Sequence, residues 1–413
     1  MSAAANCLAI YQTDRLFLLM GENPLPNYVA ALSLLKPDGI PYLIHTAYTQ
    51  VQAERFAAIL NKLSGLKSAR LVNLGHAQGD AYAIHQVISA IARDLTGSVG
   101  MNYTGGTKAM SVHAYRVLEQ LHPEAIFSYL DSNTLEMIID QDQQPSVRFK
   151  VRPQLSLEHL FQLHGLSWQS HQPPVSKPIQ AVAATRLAQL HQSEINMKLW
   201  RSWCNHALRQ EGKNEYGRWK PEEELAQLPS RTLSNLSTPF KSLLQQYFEA
   251  DSNHLRLQTA GKQGFNSITQ LCEWLDGTWL EHYTLFQIQK ISAQCNIHES
   301  GLSFRIQDSA RPNGWDKFEF DVAFMRHYQL FAISCTTTGK RSLCKQKLIE
   351  ANLRARQLGG AEARVALVCC HQYPDSLRSE LEVATRNRKI AVFGRSDLPD
   401  LGQKIVNWVK QNG

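Results

Sequence analysis

The chain has 413 residues, 43% hydrophobic and 19% charged, which excludes an intrinsically disordered protein and predicts more than one core. Its 43 Lys and Arg against 36 Asp and Glu give a net charge of +7, a mild bias towards a polyanionic partner. The eight cysteines form no C-x-x-C pair, arguing against a zinc framework or disulfide scaffold, and with neither a leader-like N-terminus nor a bilayer-length apolar run the expectation is a cytoplasmic protein with no membrane partner.

From Leu16 to Asp140 short apolar runs alternate with helical patterns: RLFLLM, NYVAALSLL, PYLIHT, VQAERFAAILNKL, ARLVNLG, AYAIHQVISAIARDL, SVGMNYT, KAMSVHAYRVLEQL and AIFSYLD. This alternation predicts βαβ units and a doubly wound, largely parallel sheet, with ligands outside the carboxyl ends of its strands. Residues 1–152 therefore read as a Rossmann-like first domain.

Residues 153–265 read as a helical connector, open to a winged-helix-like arrangement, with a proline-bearing joint at HQPPVSKP. Its Trp200, Trp203 and Trp219 either line a nucleic-acid surface or pack an amphipathic interior. Residues 266–413 begin with the helix SITQLCEWLDGTWLEHYTLFQI and continue as strands LSFRI, KFEFDVAFM and QLFAISCT, helix SLCKQKLIEANLRARQL and strand ARVALVCC, before an α-β-α tail. That order is a mixed α/β domain rather than a second Rossmann half.

The most informative local sequence is Met101-Asn-Tyr-Thr-Gly-Gly-Thr-Lys-Ala-Met110, between an expected strand and helix. Gly105 and Gly106 let the backbone approach a ligand, the helix offers unpaired N–H groups and a positive dipole end, and Thr104, Thr107 and Lys108 add donors. The combination suits phosphate, yet it is neither a Walker-type loop nor a G-x-G-x-x-G fingerprint. The plainer alternative is that the glycines only shape a tight turn.

This strand, turn and helix resemble the signature of CARF domains, the CRISPR-associated Rossmann folds that bind cyclic oligoadenylates. The opening FLLMGENPLPNYVAALSLLKPD resembles the family's first turn, so the likeness covers residues 8–150. The resemblance implies a homodimer whose facing pockets share one ring-shaped messenger, with cyclic tetra-adenylate the first candidate. Carried over by position, Thr104, Gly105, Gly106, Thr107 and Lys108 would contact phosphate, while the loop Gly21-Glu22-Asn23 and the strand-end Thr46 would meet adenine or ribose.

In KFEFDVAFMRHYQLFAISCTTTGKR, Glu319 and Asp321 stand two apart on a strand, which puts both carboxylates on one face and suits a hard divalent cation. With Glu281 in the preceding helix, the arrangement resembles the PD-(D/E)xK restriction-endonuclease-like fold, and in particular the nuclease half of CARF-fused effectors. The resemblance implies Mg²⁺ or Mn²⁺ held by Asp321, Glu281 and a further acid, lowering the pKa of a bound water, with DNA or RNA as substrate. This chain departs from the pattern, because Ser334 and Thr336 occupy the E-x-K positions. Lys347 and Glu350, three apart on the next helix, offer a carboxylate and an ammonium in their place; the alternative is a solvated ion pair. The basic run KRSLCKQKLIEANLRAR would meet a phosphate backbone.

Two functions follow from the likeness: a messenger-gated, metal-dependent nuclease using Asp321, Glu319, Lys347 and Glu350, or a nuclease-deficient, messenger-gated nucleic-acid-binding regulator. A metabolic nucleotide-binding enzyme is disfavoured, since no acidic ribose ligand stands out after the first strand.

Overall fold

The computed structural model describes residues 8–169, 172–310 and 318–413. In the first domain β1 (Thr13–Leu19), β2 (Leu35–His45), β3 (Arg70–Asn73), β4 (Val99–Asn102) and β5 (Ile126–Asp131) lie parallel in the order β3-β2-β1-β4-β5. Two antiparallel strands, β6 (Glu136–Ile139) and β7 (Val147–Lys150), extend the edge. The strand order reverses between β1 and β4, so the loops after these two strands meet at the topological switch point where such sheets bind ligands.

Helices α1 (Leu25–Leu34) and α2 (Gln50–Leu60) cover one face; α3 (Ala81–Ala92) and α4 (Lys108–Leu121) cover the other. Local chemistry starts the second pair: Asp80 caps α3 by accepting from the Ala83 N–H at 3.1 Å, and Thr107 caps α4 through the Met110 N–H at 3.2 Å.

The second sheet contains β8 (Leu166–Trp168), β11 (Ile297–Asp308), β12 (Phe318–Arg326), β13 (Gln329–Thr336), β14 (Arg364–Cys369) and β15 (Ala391–Phe393), in the order β15-β14-β13-β12-β11-β8. The ladder is antiparallel from β8 to β13 and parallel from β13 to β15. A separate ribbon pairs β9 (Arg231–Thr232) with β10 (His254–Leu255).

The segment read from sequence as a connector is split between two roles. Its start, α5 (Leu157–Leu163) and β8, packs at the domain joint and supplies the edge of the second sheet. The remainder, including α6 (Ala181–Leu190) and α7 (Glu194–Trp203), joins α8 (Trp279–Lys290) over one face of that sheet. Trp200 and Trp203 are buried there, so packing, not nucleic-acid contact, accounts for them. The expected joint begins at His171, outside the described residues.

The opposite face carries α9 (Arg341–Gly359) and α10 (Pro374–Thr385), while α11 (Leu401–Asn412) packs beside α8. One buried cluster runs from Leu25 and Phe56 of the first domain through Phe161 to Leu348 and Leu358 of α9. The domains therefore share a continuous apolar core rather than a hydrated joint. Among the described residues the cysteines are buried free thiols, and no helix is long and apolar enough to cross a membrane.

Candidate functional site

At the switch point both glycines of the turn are required by the fold. A Cβ at Gly105 would overlap the Leu19 carbonyl oxygen at the end of β1, and Gly106 has φ +74°, a left-handed conformation that favours glycine. Gly21 lies against this turn, its Cβ direction 3.3 Å from the Gly106 nitrogen. The close approach leaves the corner lined by backbone at the N-terminus of α4, the geometry that receives anions.

The hydroxyls are partly spent on holding the corner. Thr107 donates to the Gln78 carbonyl at 2.7 Å while capping α4, and Thr104 accepts from the Leu130 N–H at 2.7 Å, which leaves its O–H to donate. Lys108 is exposed in the first turn of α4. Thr104, Gly105, Gly106, Thr107 and Lys108 thus come together with Gly21.

Asn23 and Thr46 make their hydrogen bonds elsewhere. Thr46 is buried at the end of β2, with its hydroxyl 3.4 Å from that of Thr49 in a local cap. Asn23 accepts from the Leu25 N–H at 3.1 Å and sets its amide against Gly360, just beyond the C-terminus of α9. Asn27 was not singled out by sequence: fully buried beneath the corner, it donates to the Leu19 carbonyl at 2.8 Å, and its Oδ1 has no partner among the described residues.

In the second domain a cavity of about 240 Å³ is lined by Glu281, Glu319, Asp321, Ser334, Lys347 and Glu350, bringing the residues proposed from sequence into one place. Asp321 on β12 is held by three donors on one oxygen: Ser334 Oγ at 2.8 Å, the Cys335 N–H at 2.7 Å and Lys347 Nζ at 3.4 Å. Ser334, standing where an acid was expected, therefore orients the acid that remains. Thr336 lies outside this set and accepts from the Thr338 N–H at 3.4 Å.

Glu281 on α8 accepts from Ser303 Oγ at 2.6 Å. Burial and the neighbouring Asp321 charge push its carboxyl well above the usual range, against the pull of the Ser303 hydroxyl. Burial pulls the Lys347 ammonium down, but Asp321 and Glu281 together outweigh it and the pKa rises. Lys347 is thus the counter-ion of the acidic cluster; its ion pair is with Asp321 rather than with Glu350 one turn away. Glu319 pairs with Arg305 across the ladder at 3.2 Å.

Ser303 is the second residue that sequence reading missed. It falls in register opposite Asp321, between the pairs Leu302↔Val322 and Phe304↔Phe320, but with φ +52° it leaves the regular strand conformation. In the sequence it is an unremarked polar residue in LSFRI. Strained backbone of this kind collects at functional sites, and here it aims a hydroxyl at Glu281.

The basic face of α9 is largely committed within the fold. Arg341 binds Glu380 at 2.5 Å, Lys345 pairs with the same carboxylate, and the Arg354 guanidinium lies over the Phe318 ring at 4.9 Å.

Residues 270–412 match the family described as the Card1-like endonuclease domain. No curated protein matches the chain in sequence. In fold the chain is similar to protein VC1899 from Vibrio cholerae, with a TM-score of 0.71 and 17% identity over 97% of this chain and 99% of that one. It is also similar to Can2 from Sulfobacillus thermosulfidooxidans, solved in complex with cyclic tetra-adenylate, with a TM-score of 0.67 and 16% identity over 96% of this chain and 99% of that one. In this fold a Rossmann-like domain precedes a mixed α/β domain whose residues 270–412 match the Card1-like endonuclease family, the order expected from the sequence.

Proposed function

We propose that this chain is a CRISPR defence effector in which a cyclic oligoadenylate, with cyclic tetra-adenylate the first candidate, activates metal-dependent cleavage of DNA or RNA. The observation that carries the reading is the convergence of Glu281, Asp321, Lys347 and Glu350 on one cavity despite the loss of the E-x-K strand motif. The Card1-like match over this domain and the likeness to a structure holding cyclic tetra-adenylate support it.

Among the described residues no group of three or more His, Cys, Asp or Glu side chains is gathered tightly enough to enclose a metal alone. The donor set nonetheless fits Mg²⁺ or Mn²⁺, since such hard cations commonly use one or two carboxylates and take their remaining ligands from water and substrate phosphate. Asp321 and Glu281 would hold the cation, with Glu350 in the same lining, and a cation there would offset the burial and the Asp321 charge that raise the Glu281 pKa. Bound there, it would lower the pKa of a water and neutralise charge building on the scissile phosphate. Ser334 and Ser303 keep the two carboxylates oriented, and Lys347 supplies an ammonium to the phosphate.

The same reading assigns a messenger contact to the corner around Lys108 and a homodimer that shares one ring. Asn23 offers a route between the sites: its loop starts at Gly21, against Gly106, and ends against Gly360, beyond the helix that carries Lys347 and Glu350. The alternative of a nuclease-deficient regulator draws on Ser334 and Thr336 standing in place of the usual acid and lysine. Lys108→Ala should weaken messenger binding by at least about tenfold, as loss of a charge-assisted phosphate contact does. Calorimetry with unchanged affinity would remove Lys108 from the site. Nucleic-acid binding that responds to the ring without any cleavage would favour the regulator.

A further inference from the structure

A second and larger cavity, of about 610 Å³, opens on the other side of Lys347. We propose that it is a nucleotide subsite, in which a base flanking the scissile phosphate is held between α9 and the helical layer of the connector. The proposal rests on the nuclease reading of Lys347 and Glu350, because both residues line this cavity and the acidic one. A nucleotide bound here would therefore have its phosphate beside the candidate catalytic groups. The volume falls within the roughly 300–1,000 Å³ of ligand sites.

Its walls carry the chemistry that a nucleotide requires. Arg201 enters from the connector and Lys347 from α9 as cations for the backbone, while Arg209 in the same lining is paired with Asp276. The amides of Asn205 and Gln346 enter from opposite walls, and paired donor and acceptor groups of this kind read base edges. Leu343, 44% exposed, adds an apolar surface for a base face. Asn205 already accepts from Arg209 Nη1 at 3.1 Å, so the bond fixes its oxygen and turns its NH₂ to donate.

The connector wall is also built to stay in place. It widens into a π-helical turn over Cys204–Arg209 and faces a kink at Trp274–Thr278, where Gly277 leaves the helical conformation. π-Turns are frequent at functional sites. The two are bolted together: Trp200 donates its indole N–H to the Leu275 carbonyl at 3.1 Å, and Asp276 binds Arg209 at 2.6 Å and Lys213 at 3.3 Å. Arg201 reaches across to the Thr337 carbonyl at 3.0 Å. Four side chains thus fix this wall to the nuclease domain, and the asymmetry is that of a rigid reader beside a reactive helix.

The test uses the full-length protein with cyclic tetra-adenylate and mixed-sequence DNA and RNA oligonucleotides in separate arms. With Mn²⁺, cut positions mapped to single nucleotides should show a base preference next to the cleaved bond. Asn205→Leu combined with Gln346→Leu should flatten that preference by at least about fivefold. Oligonucleotide binding is measured independently in the Asp321→Asn background, where the same pair of substitutions should weaken affinity at least about fivefold. Unchanged affinity and an unchanged base distribution would overturn the subsite, as would failure to bind any oligonucleotide. A protein that never cuts, but whose oligonucleotide affinity falls on Asn205→Leu and Gln346→Leu, would keep the subsite and remove the nuclease reading.

Discussion

Lys347 Nζ stands 3.4 Å from Asp321 Oδ2, joining helix α9 to strand β12 across a cavity whose neighbouring strand carries Ser334 and Thr336. The ammonium arrives from a neighbouring element at the point where the acidic cluster needs a counter-ion. Lys347→Met should therefore lower messenger-activated cleavage by about 10²-fold or more, the scale of losing a positioned charge. It should lower metal-free stability by no more than about 1 kcal/mol, because Lys347 is half exposed. Single-turnover cleavage and thermal unfolding of the same variant check both halves, and full cleavage activity would separate Lys347 from the chemistry.

Ser303 provides a test of strain against function. Ser303→Ala and Ser303→Gly both remove the hydroxyl that binds Glu281, so both should cut more slowly by about tenfold. Only glycine relieves the left-handed backbone at φ +52°, so Ser303→Gly should be more stable than Ser303→Ala by about 1 kcal/mol. Equal unfolding midpoints for the two variants would show that the residue is unstrained.

The contact between Asn23 and Gly360 should carry the signal between domains. A Cβ on Gly360 would overlap the Asn23 amide, and its φ of +56° is also unfavourable for alanine. Gly360→Ala should keep messenger affinity within about threefold while reducing the ratio of activated to basal cleavage at least about tenfold, a coupling loss of ordinary allosteric size. Asn23→Ala in the same chain should restore part of that ratio by making room. No restoration would place the route elsewhere.

The sequence made the first domain legible because strand and helix patterns alternate along it and its one turn with two glycines sits at a strand's carboxyl end. The order of the second domain was equally readable from KFEFDVAFM onward. The shared core was not, since Phe56, Phe161 and Leu358 read only as local apolar faces until the chain brings them together. The same is true of β8, three residues long and unrecognisable without the β11 edge that it pairs with. In the acidic cavity Ser334 was visible in the sequence but its use was not, because only the fold shows Ser334 donating to Asp321. Ser303 and Asn27 were hidden for a related reason: a single polar residue in an apolar stretch carries no periodic signal.

Acid should loosen the fold in a defined window. Burial holds His164, His191 and His327 down to about 4, below the ordinary histidine value of about 6.5. The unfolded chain then binds more protons than the folded one between these limits, so stability is complete above about pH 6.5 and is lost as pH falls towards 4. His191 lies among Trp200, Phe240 and Trp279, its ring 4.7 Å from that of Trp279. His191→Phe should make the acid limb of a stability-versus-pH curve shallower by one proton equivalent. An unchanged slope would contradict the neutral, buried state of this ring.

The account turns on whether one carboxylate serves a messenger-gated metal reaction. The most direct measurement is cleavage of plasmid and RNA by the full-length protein with Mn²⁺ or Mg²⁺, with and without cyclic tetra-adenylate, for the unmodified chain and for Asp321→Asn. The account predicts cutting only when metal and ring are both present, abolished in Asp321→Asn, with ring affinity unchanged in that variant because the two sites lie in separate domains. Undiminished cutting by Asp321→Asn, or no cutting by the unmodified chain with any metal and any ring size, would contradict it.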